Sequence, residues 1–459
     1  VVDARRDVEA FGYQQELKRS LSLGDLLAYG LVFITPLAPV SVFGIVFNAS
    51  HGMVPLVYLI GLVAMIFVAL SYMTMSEAFP VAGSVYAYAS RSLGATVGFF
   101  AGWAILLDYI LLPTLTFIVS AIAIASVFPA FPKPICIVVM VVLATIVNEL
   151  GIESTARTSF ALLGFQIVVL VIFGIDGAIA LAHHAHGAHL TWTPFFNPAE
   201  VTPSLIFGAL SLAVLSFLGF DAISTLSEES RGGSATIGRA TMLSLVLSAA
   251  LFVAQSWLAS QFLPGHTSLA PGDPTNEAFY DVAGLAGGTW LKFLLAVPGV
   301  FLSSLAGAVT AQAATARLIY GMARDGELPR ALAHVNPRRK VPTRAVYLVA
   351  GLTLLLGVTL VDQLELFTSM VSFGALLGFL TLQVSVVAYF VIRNRSRKWL
   401  RHLITPAIAF AIVAYVLWNA EANAKIAGAA WMAVGLVVYL IRRRANREVT
   451  TPLRDSMRG

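Results

Sequence analysis

Charge is what this chain has least of. Of its 459 residues only 12% are Asp, Glu, Lys or Arg, against roughly 25% in a soluble globular protein, and so few charges cannot cover a water-exposed surface. Cysteine is nearly absent too. Cys136 stands alone, which excludes an internal disulfide, and its place in an apolar run marks a small packing residue rather than a reactive thiol. No polar stretch is long enough for a separate soluble domain; the longest linkers lie near 181–203, 263–287 and 316–343. What fills the chain is apolar: 58% of it is hydrophobic, in runs near the ~20 residues that a helix needs to cross a hydrocarbon core about 30 Å thick. The net charge of +5 does not point to nucleic acid, because the basic residues sit at the ends of apolar runs rather than along one stripe.

These runs predict an all-α integral membrane protein of about twelve transmembrane helices, at 23–49, 54–78, 97–127, 134–149, 157–181, 203–225, 235–262, 287–315, 343–361, 365–391, 403–419 and 427–442. Several exceed a straight bilayer crossing, so tilt or continuation into the loops is expected. The first follows a polar, basic stretch without a clear cleavage site and reads as a retained span rather than a secretory signal. The linkers give an independent test. If the amino terminus is cytoplasmic, 26 of the 29 Lys and Arg residues fall on the cytoplasmic side, and only Lys133, Lys292 and Lys425 lie on or near the outer one. That bias follows the positive-inside rule, so both termini are expected in the cytoplasm of a multi-pass plasma membrane protein, with a bacterial inner membrane as its place. The outer linker with His183, His184, His186 and His189 has a metal-binding composition. With no carboxylate or cysteine to complete a site it reads as a solvated loop, and no metal is assigned. Asn48-Ala49-Ser50 matches a glycosylation acceptor, read as a chance match because it lies at the predicted membrane edge.

Two spans are interrupted. In LLAYGLVFITPLAPVSVFGIVFNAS, Pro36 and Pro39 lack a backbone donor and crowd the preceding turn, with Thr35, Ser41 and Gly44 nearby. Backbone groups freed at mid-membrane must face protein, water or a ligand, so the break is either a binding site or a kink satisfied by neighbouring hydroxyls. In PSLIFGALSLAVLSFLGFDAISTLSEES, Ser216, Gly219 and Asp221 interrupt the apolar character. An ionisable group inside a span is a functional candidate by default; capping a local break is the alternative for Asp221. One break lies in span one and the other in span six, so spans one to five and six to ten could be corresponding halves. Paired broken helices point to a secondary transporter with a midplane site. Their helix ends present opposite dipole poles, which suit a small zwitterion or amine.

The segments SYMTMSEAFPVAGSVYAYASRSLG at 71–94, GWAILLDYILLP at 102–113, FLGFDAISTLSEE at 217–229 and ARLIYGMARDGELP at 316–329 resemble, in order and content, the amino acid, polyamine and organocation permeases. The third-span segment is most like the branch that contains bacterial putrescine importers. The resemblance covers nearly the whole chain. It implies a five-plus-five inverted-repeat core with discontinuous helices 1 and 6 plus two additional helices. The corresponding divisions are a cytoplasmic tail at 1–22, a first repeat at 23–181, an extracellular loop at 182–202, a second repeat at 203–391, helices 11 and 12 at 392–442, and a cytoplasmic tail at 443–459. It also implies alternating access, coupled to protons, for an amino acid or polyamine. By family position Thr35, Pro36, Ala38, Pro39, Val40 and Ser41 would line the first break, and Ser216, Phe217, Leu218, Gly219, Phe220 and Asp221 the second. Phe217 or Phe220 would be an aromatic gate, with packing against an adjacent span as the alternative.

The chain departs from that pattern in two places. Many amino acid carriers of the family wrap a substrate carboxylate with a glycine-rich first break, whereas TPLAPVS places two prolines without amide donors there. That favours an amine or diamine over an α-amino acid. A lysine that replaces sodium in the fifth span of some members is also missing: residues 157–181 hold only Arg157, so the proton carrier is unassigned, with a cation-independent exchanger of amino acids or amines as the alternative. Asp108 and Tyr109 lie inside the third span, and Asp108 and Asp221 are the candidate partners for a substrate ammonium, which needs compensation when buried. A helix–helix hydrogen bond is the alternative for Asp108. Glu77 and the Glu228-Glu229 pair, with Arg91 or Arg231 as partners, are candidates for closing the inner end, with plain surface charge as the alternative. Arg317, with Arg324 and Asp325, belongs to a gate or stabilising linker. No catalytic cluster or cofactor is expected, so an enzyme is disfavoured; a channel lacks a repeated selectivity segment. The expected partners are a small cationic or zwitterionic solute and the lipid bilayer, with a homodimer left open.

Overall fold

The computed structural model describes residues 19–79, 84–127, 132–150, 152–270, 273–276, 278–361, 364–419 and 422–455. Arg5, Arg6, Lys18, Arg458, the 80–83 stretch and the side chain of Arg157 lie outside the described residues. The molecule is an all-α membrane-spanning protein. Among the described residues eight helices are long and apolar enough to cross a membrane, and nine when a bent pair is counted as one span.

That pair is the first expected span. Helix α1 (Leu23–Ile34) opens on a capping box in which Ser22 and Asp25 satisfy each other's backbone amides, and stops at Thr35. Helix α2 (Ala38–Ala49) resumes at an angle of 43°. Pro39 falls in the first turn of α2, where a missing N–H costs nothing; Pro36 occupies the gap itself. Thr35 takes φ 63°, a left-handed conformation disfavoured for a β-branched residue and worth about 1–3 kcal/mol of strain.

Helices α3 (Val54–Ala78), α4 (Ser84–Leu93), α5 (Ala95–Val127), α6 (Lys133–Glu149) and α7 (Ile152–Ala182) follow. The next apolar run breaks again: α8 (Pro203–Ala213) passes into a 3-10 turn at Val214–Phe217, an extended Leu218, Gly219 at φ 112°, and a second 3-10 stretch at Phe220–Leu226. Then come α9 (Gly233–Ser260), α10 (Ala278–Gly287), α11 (Thr289–Leu294), α12 (Val300–Arg324), α13 (Thr343–Thr359), α14 (Leu364–Val386), α15 (Thr405–Trp418) and α16 (Ala422–Asp455). The eighth expected span starts as α11 and enters α12 through a π turn at Leu295–Gly299, where Pro298 has no amide to donate.

The linkers hold more helix than their polarity suggests. α4 buries Val85, Tyr86, Tyr88 and Ala89 against α5 and α14, and α10 buries Phe279 and Val282. The long helix α5 forms the centre of the bundle, flanked by α12 and α14; at Gly374 a side chain on α14 would strike the α5 backbone at Ala104 and Asp108. The expected amino-terminal tail is stitched to the second break. Ser20 and Leu21 donate to the Glu229 carbonyl at 3.1 Å each, and Arg231 N–H donates back to Leu21.

Candidate functional site

The two breaks meet. Phe33, near the end of α1, lies against Gly219, and a Cβ there would collide with its ring. Only glycine suits both that contact and φ 112°. The first break is held from two sides. Gln255 of α9 donates to the Pro36 carbonyl at 2.9 Å, and Gly307 of α12 leaves room for the Thr35 hydroxyl, which donates to Val32 O at 3.2 Å. Most amides of the break are already used: Thr35 N–H donates to Leu31 O, Ala38 N–H to Thr35 O and Val40 N–H to Leu37 O.

Beside the breaks sit two buried carboxylates. Asp221 accepts from the Tyr109 hydroxyl at 2.7 Å and from the Tyr72 hydroxyl at 3.4 Å, both on Oδ2. Its Oδ1 has no hydrogen-bond partner, although the amides of Gly219 and Asp221 face the group. Asp108 is equally buried, its Oδ1 also lacks a partner, and it lies close enough to Asp221 for their charges to interact. A buried polar atom without a partner costs about 1–3 kcal/mol, more when charged, so this pair calls for hydrogen-bond donors. The Tyr109 carbonyl accepts from Thr315 of α12 at 2.6 Å, which fixes the tyrosine in place.

Aromatic rings complete the enclosure. Phe217 packs against Tyr58 and Phe252 with centroids 6.0 and 5.4 Å apart; Phe220 packs against Tyr72 and Phe379 at 5.8 and 5.7 Å. In this conformation both candidate gates are wedged between spans. Ser216 exchanges a hydrogen bond with Tyr58 at 3.1 Å, and Leu218 is buried. Pro36, Pro39 and Val40 are buried and Thr35 and Ala38 half-buried, whereas Ser41 lies on an exposed face of α2, one turn from Ile45.

One end of the site is closed by buried ion pairs. Arg317 forks both oxygens of Glu229 and also donates to Ala313 O at 2.9 Å. Arg324 forks Glu228 at 2.9 and 3.1 Å and lies over the Tyr320 ring. Both arginines lie on α12 two turns apart, so one face of that helix meets consecutive carboxylates at the end of the second break. Arg91 donates to Ala87 O at 3.3 Å, the Arg231 side chain is exposed, and Glu77 pairs with Arg401. Tyr29 of α1 joins the seal by donating to Thr310 O at 2.7 Å.

The other end is closed by the loop before α10. Asn48 donates to Leu269 O and Thr275 Oγ1 and accepts from Leu269 N–H, while Gly44 lies against the Thr275 backbone. Outside this closure a cavity of about 190 Å³ includes His51, His189 and His266 in its lining, and His51 bonds Glu200 at 2.6 Å. Among the described residues no three His, Cys, Asp or Glu side chains converge for a metal.

Sequence reasoning did not single out Tyr58, Tyr72, Gln255 or Gln166. Gln166, in α7, is buried with neither amide atom partnered. An isolated amide in an apolar run was the available signal for the two glutamines. The tyrosines had none, since their rings read as ordinary core.

The family model described as amino acid permease matches residues 26–441. The chain is 31% identical to the low-affinity putrescine importer PlaP of Escherichia coli K12 over 434 residues, which is 92% of this chain and 93% of that protein. It is 24% identical to the branched-chain amino acid permease BcaP of Bacillus subtilis, covering 96% of this chain and 97% of that protein. It is 23% identical to the methylthioribose transporter of the same organism, covering 94% and 95%.

Proposed function

The chain belongs to the amino acid permease family, and on that premise we propose that it imports a small amine, with a diamine preferred, by alternating access coupled to protons. It is a secondary transporter of amines or amino acids and not an enzyme. The observation that carries the finer reading is the pair of buried carboxylates, Asp108 and Asp221, each with one unpartnered oxygen. An ammonium offers three donors and a positive charge to such a pair, whereas a substrate carboxylate would meet repulsion there. At the first break Pro36 has no amide, and those of Thr35, Ala38 and Val40 are taken, so a carboxylate cradle is short of donors. The similarity to PlaP, whose name states putrescine import, agrees with this preference.

The transport cycle in this reading moves one helix bundle against another around the breaks. The Arg317–Glu229 and Arg324–Glu228 pairs open toward the cytoplasm, and the Asn48 clamp opens outward. The basic end faces the cytoplasm by the positive-inside rule. In each inward step a proton on one of the two aspartates travels with the ammonium, which the other aspartate neutralises, and both are released to the cytoplasm. Uptake by proteoliposomes, with amino acids, monoamines and diamines in competition and pH and sodium varied independently, tests the proposal. Diamines are expected to compete best and a proton gradient to drive accumulation. Stronger competition by α-amino acids removes the diamine reading, and accumulation driven by sodium alone removes the proton reading.

A further inference from the structure

On the outer face of the bundle, away from the breaks, α6 and α13 pack side by side and leave a groove of about 540 Å³ between them. Its walls are apolar, with Val141, Ile146, Ala350 and Leu354 along its length and Tyr347 near its mouth. At Gly351 a Cβ would meet no atom within 4 Å, so the groove is open there. Exposed Val138, Val142 and Leu143 on α6 and Leu355 on α13 continue the apolar surface on either side.

The mouth is built differently. Asn336 Oδ1 accepts the amides of Arg338 and Arg339, the Lys340 amide bonds Asn336 O, and Lys340 takes φ 57°. This tight turn holds three consecutive cations at the groove's end. Arg339 is neutralised by Glu149, bonding its carboxylate at 3.1 Å and its backbone carbonyl at 2.9 Å, and that carboxylate is the one acidic group in the groove lining. Arg338, Lys340 and, in the first turn of α13, Arg344 remain exposed, with Arg344 also donating to Ala331 O at 3.3 Å. The amino terminus of α13, a helix of 17 residues, opens at the same mouth, where its dipole favours an anion.

We propose that this groove binds one anionic phospholipid, with its phosphate at Arg338, Lys340 and Arg344 and an acyl chain lying over Gly351 between α6 and α13. Apolar walls ending in a preformed cationic turn match a molecule that is hydrocarbon along its length and anionic at one end. A second membrane helix would have to bring matching acid to the same level. The inference rests on the chain spanning a membrane and is independent of the transported substrate.

Native mass spectrometry of the full chain, released from detergent with added phosphatidylglycerol or phosphatidylcholine, tests it. The parent chain is expected to retain one phosphatidylglycerol in preference to phosphatidylcholine. Preference should fall about fivefold for each basic side chain removed in R338Q, K340Q and R344Q, because roughly that factor accompanies one surface charge near an anionic lipid. G351F should lose retention of both lipids by filling the groove, with thermal unfolding in lipid-free detergent showing that the fold is kept. If G351F does not fold, the charge variants on the exposed turn decide alone. Equal retention of the two lipids by the parent, or a preference unchanged in the triple variant, overturns the proposal. So does cross-linking from Val142 to a second copy of the chain or to a co-purified protein.

Discussion

Replacing Asp221 by Asn alters one atom of a buried side chain and leaves its shape intact. The Tyr109 and Tyr72 hydroxyls, which now donate to Oδ2 at 2.7 and 3.4 Å, can donate equally to the amide oxygen, so the site should stay assembled. What disappears is the charge. A hydrogen bond to a charged group is worth about 1.5–3 kcal/mol, which corresponds to a loss of roughly 10- to 150-fold in apparent affinity for an ammonium. Asp108→Asn should act in the same direction, and because the two groups interact, the double variant should lose less than the sum of the singles. The assay is initial-rate uptake of a labelled diamine into proteoliposomes, normalised to the amount of inserted protein, with a neutral amino acid measured in parallel. Diamine KM values within twofold of the parent in both single variants would refute charge recognition by this pair.

The remaining expectations concern the architecture around that site. Arg317→Met leaves Glu229 buried without its partner and should destabilise the closed basic end by about 3–5 kcal/mol, read as a lower unfolding temperature and as faster labelling of a cysteine introduced at Thr310. Gly219→Ala must place a Cβ against Phe33 at φ 112°; overpacking of about 1–3 kcal/mol adds to the left-handed penalty, and uptake should be lost. The further change Phe33→Ala should then recover stability only in part, because it relieves the contact and not the backbone. Gln255→Leu strips the Pro36 carbonyl of its donor, costs about 1–3 kcal/mol, and should lower thermal stability; an unchanged melting curve would show that the carbonyl finds another donor.

Several features were legible because they are written locally along the chain. The break at Pro36 and Pro39 and the interruption at Gly219 each follow from one residue's backbone chemistry. The gate pairs were half legible. Glu228 and Glu229 stood out as acids at a span end, but nothing local announced that Arg317 and Arg324 would fork them, since these arrive from a helix 88 and 96 residues away. Ser41 shows the opposite failure. Its nearness to the prolines suggested the site, yet one turn of helix carries it onto an exposed face.

By itself, then, the sequence determined the membrane, the basic end and the two places where the backbone must break, because hydropathy, charge and proline act over a few residues at a time. Tertiary structure alone decided what stands around those breaks. Tyr109 and Tyr72 reach Asp221 across 112 and 149 residues of chain, and Gln255 reaches Pro36 across 219. Such contacts exist only once the spans have packed, and no periodicity or composition records which side chain will be the neighbour.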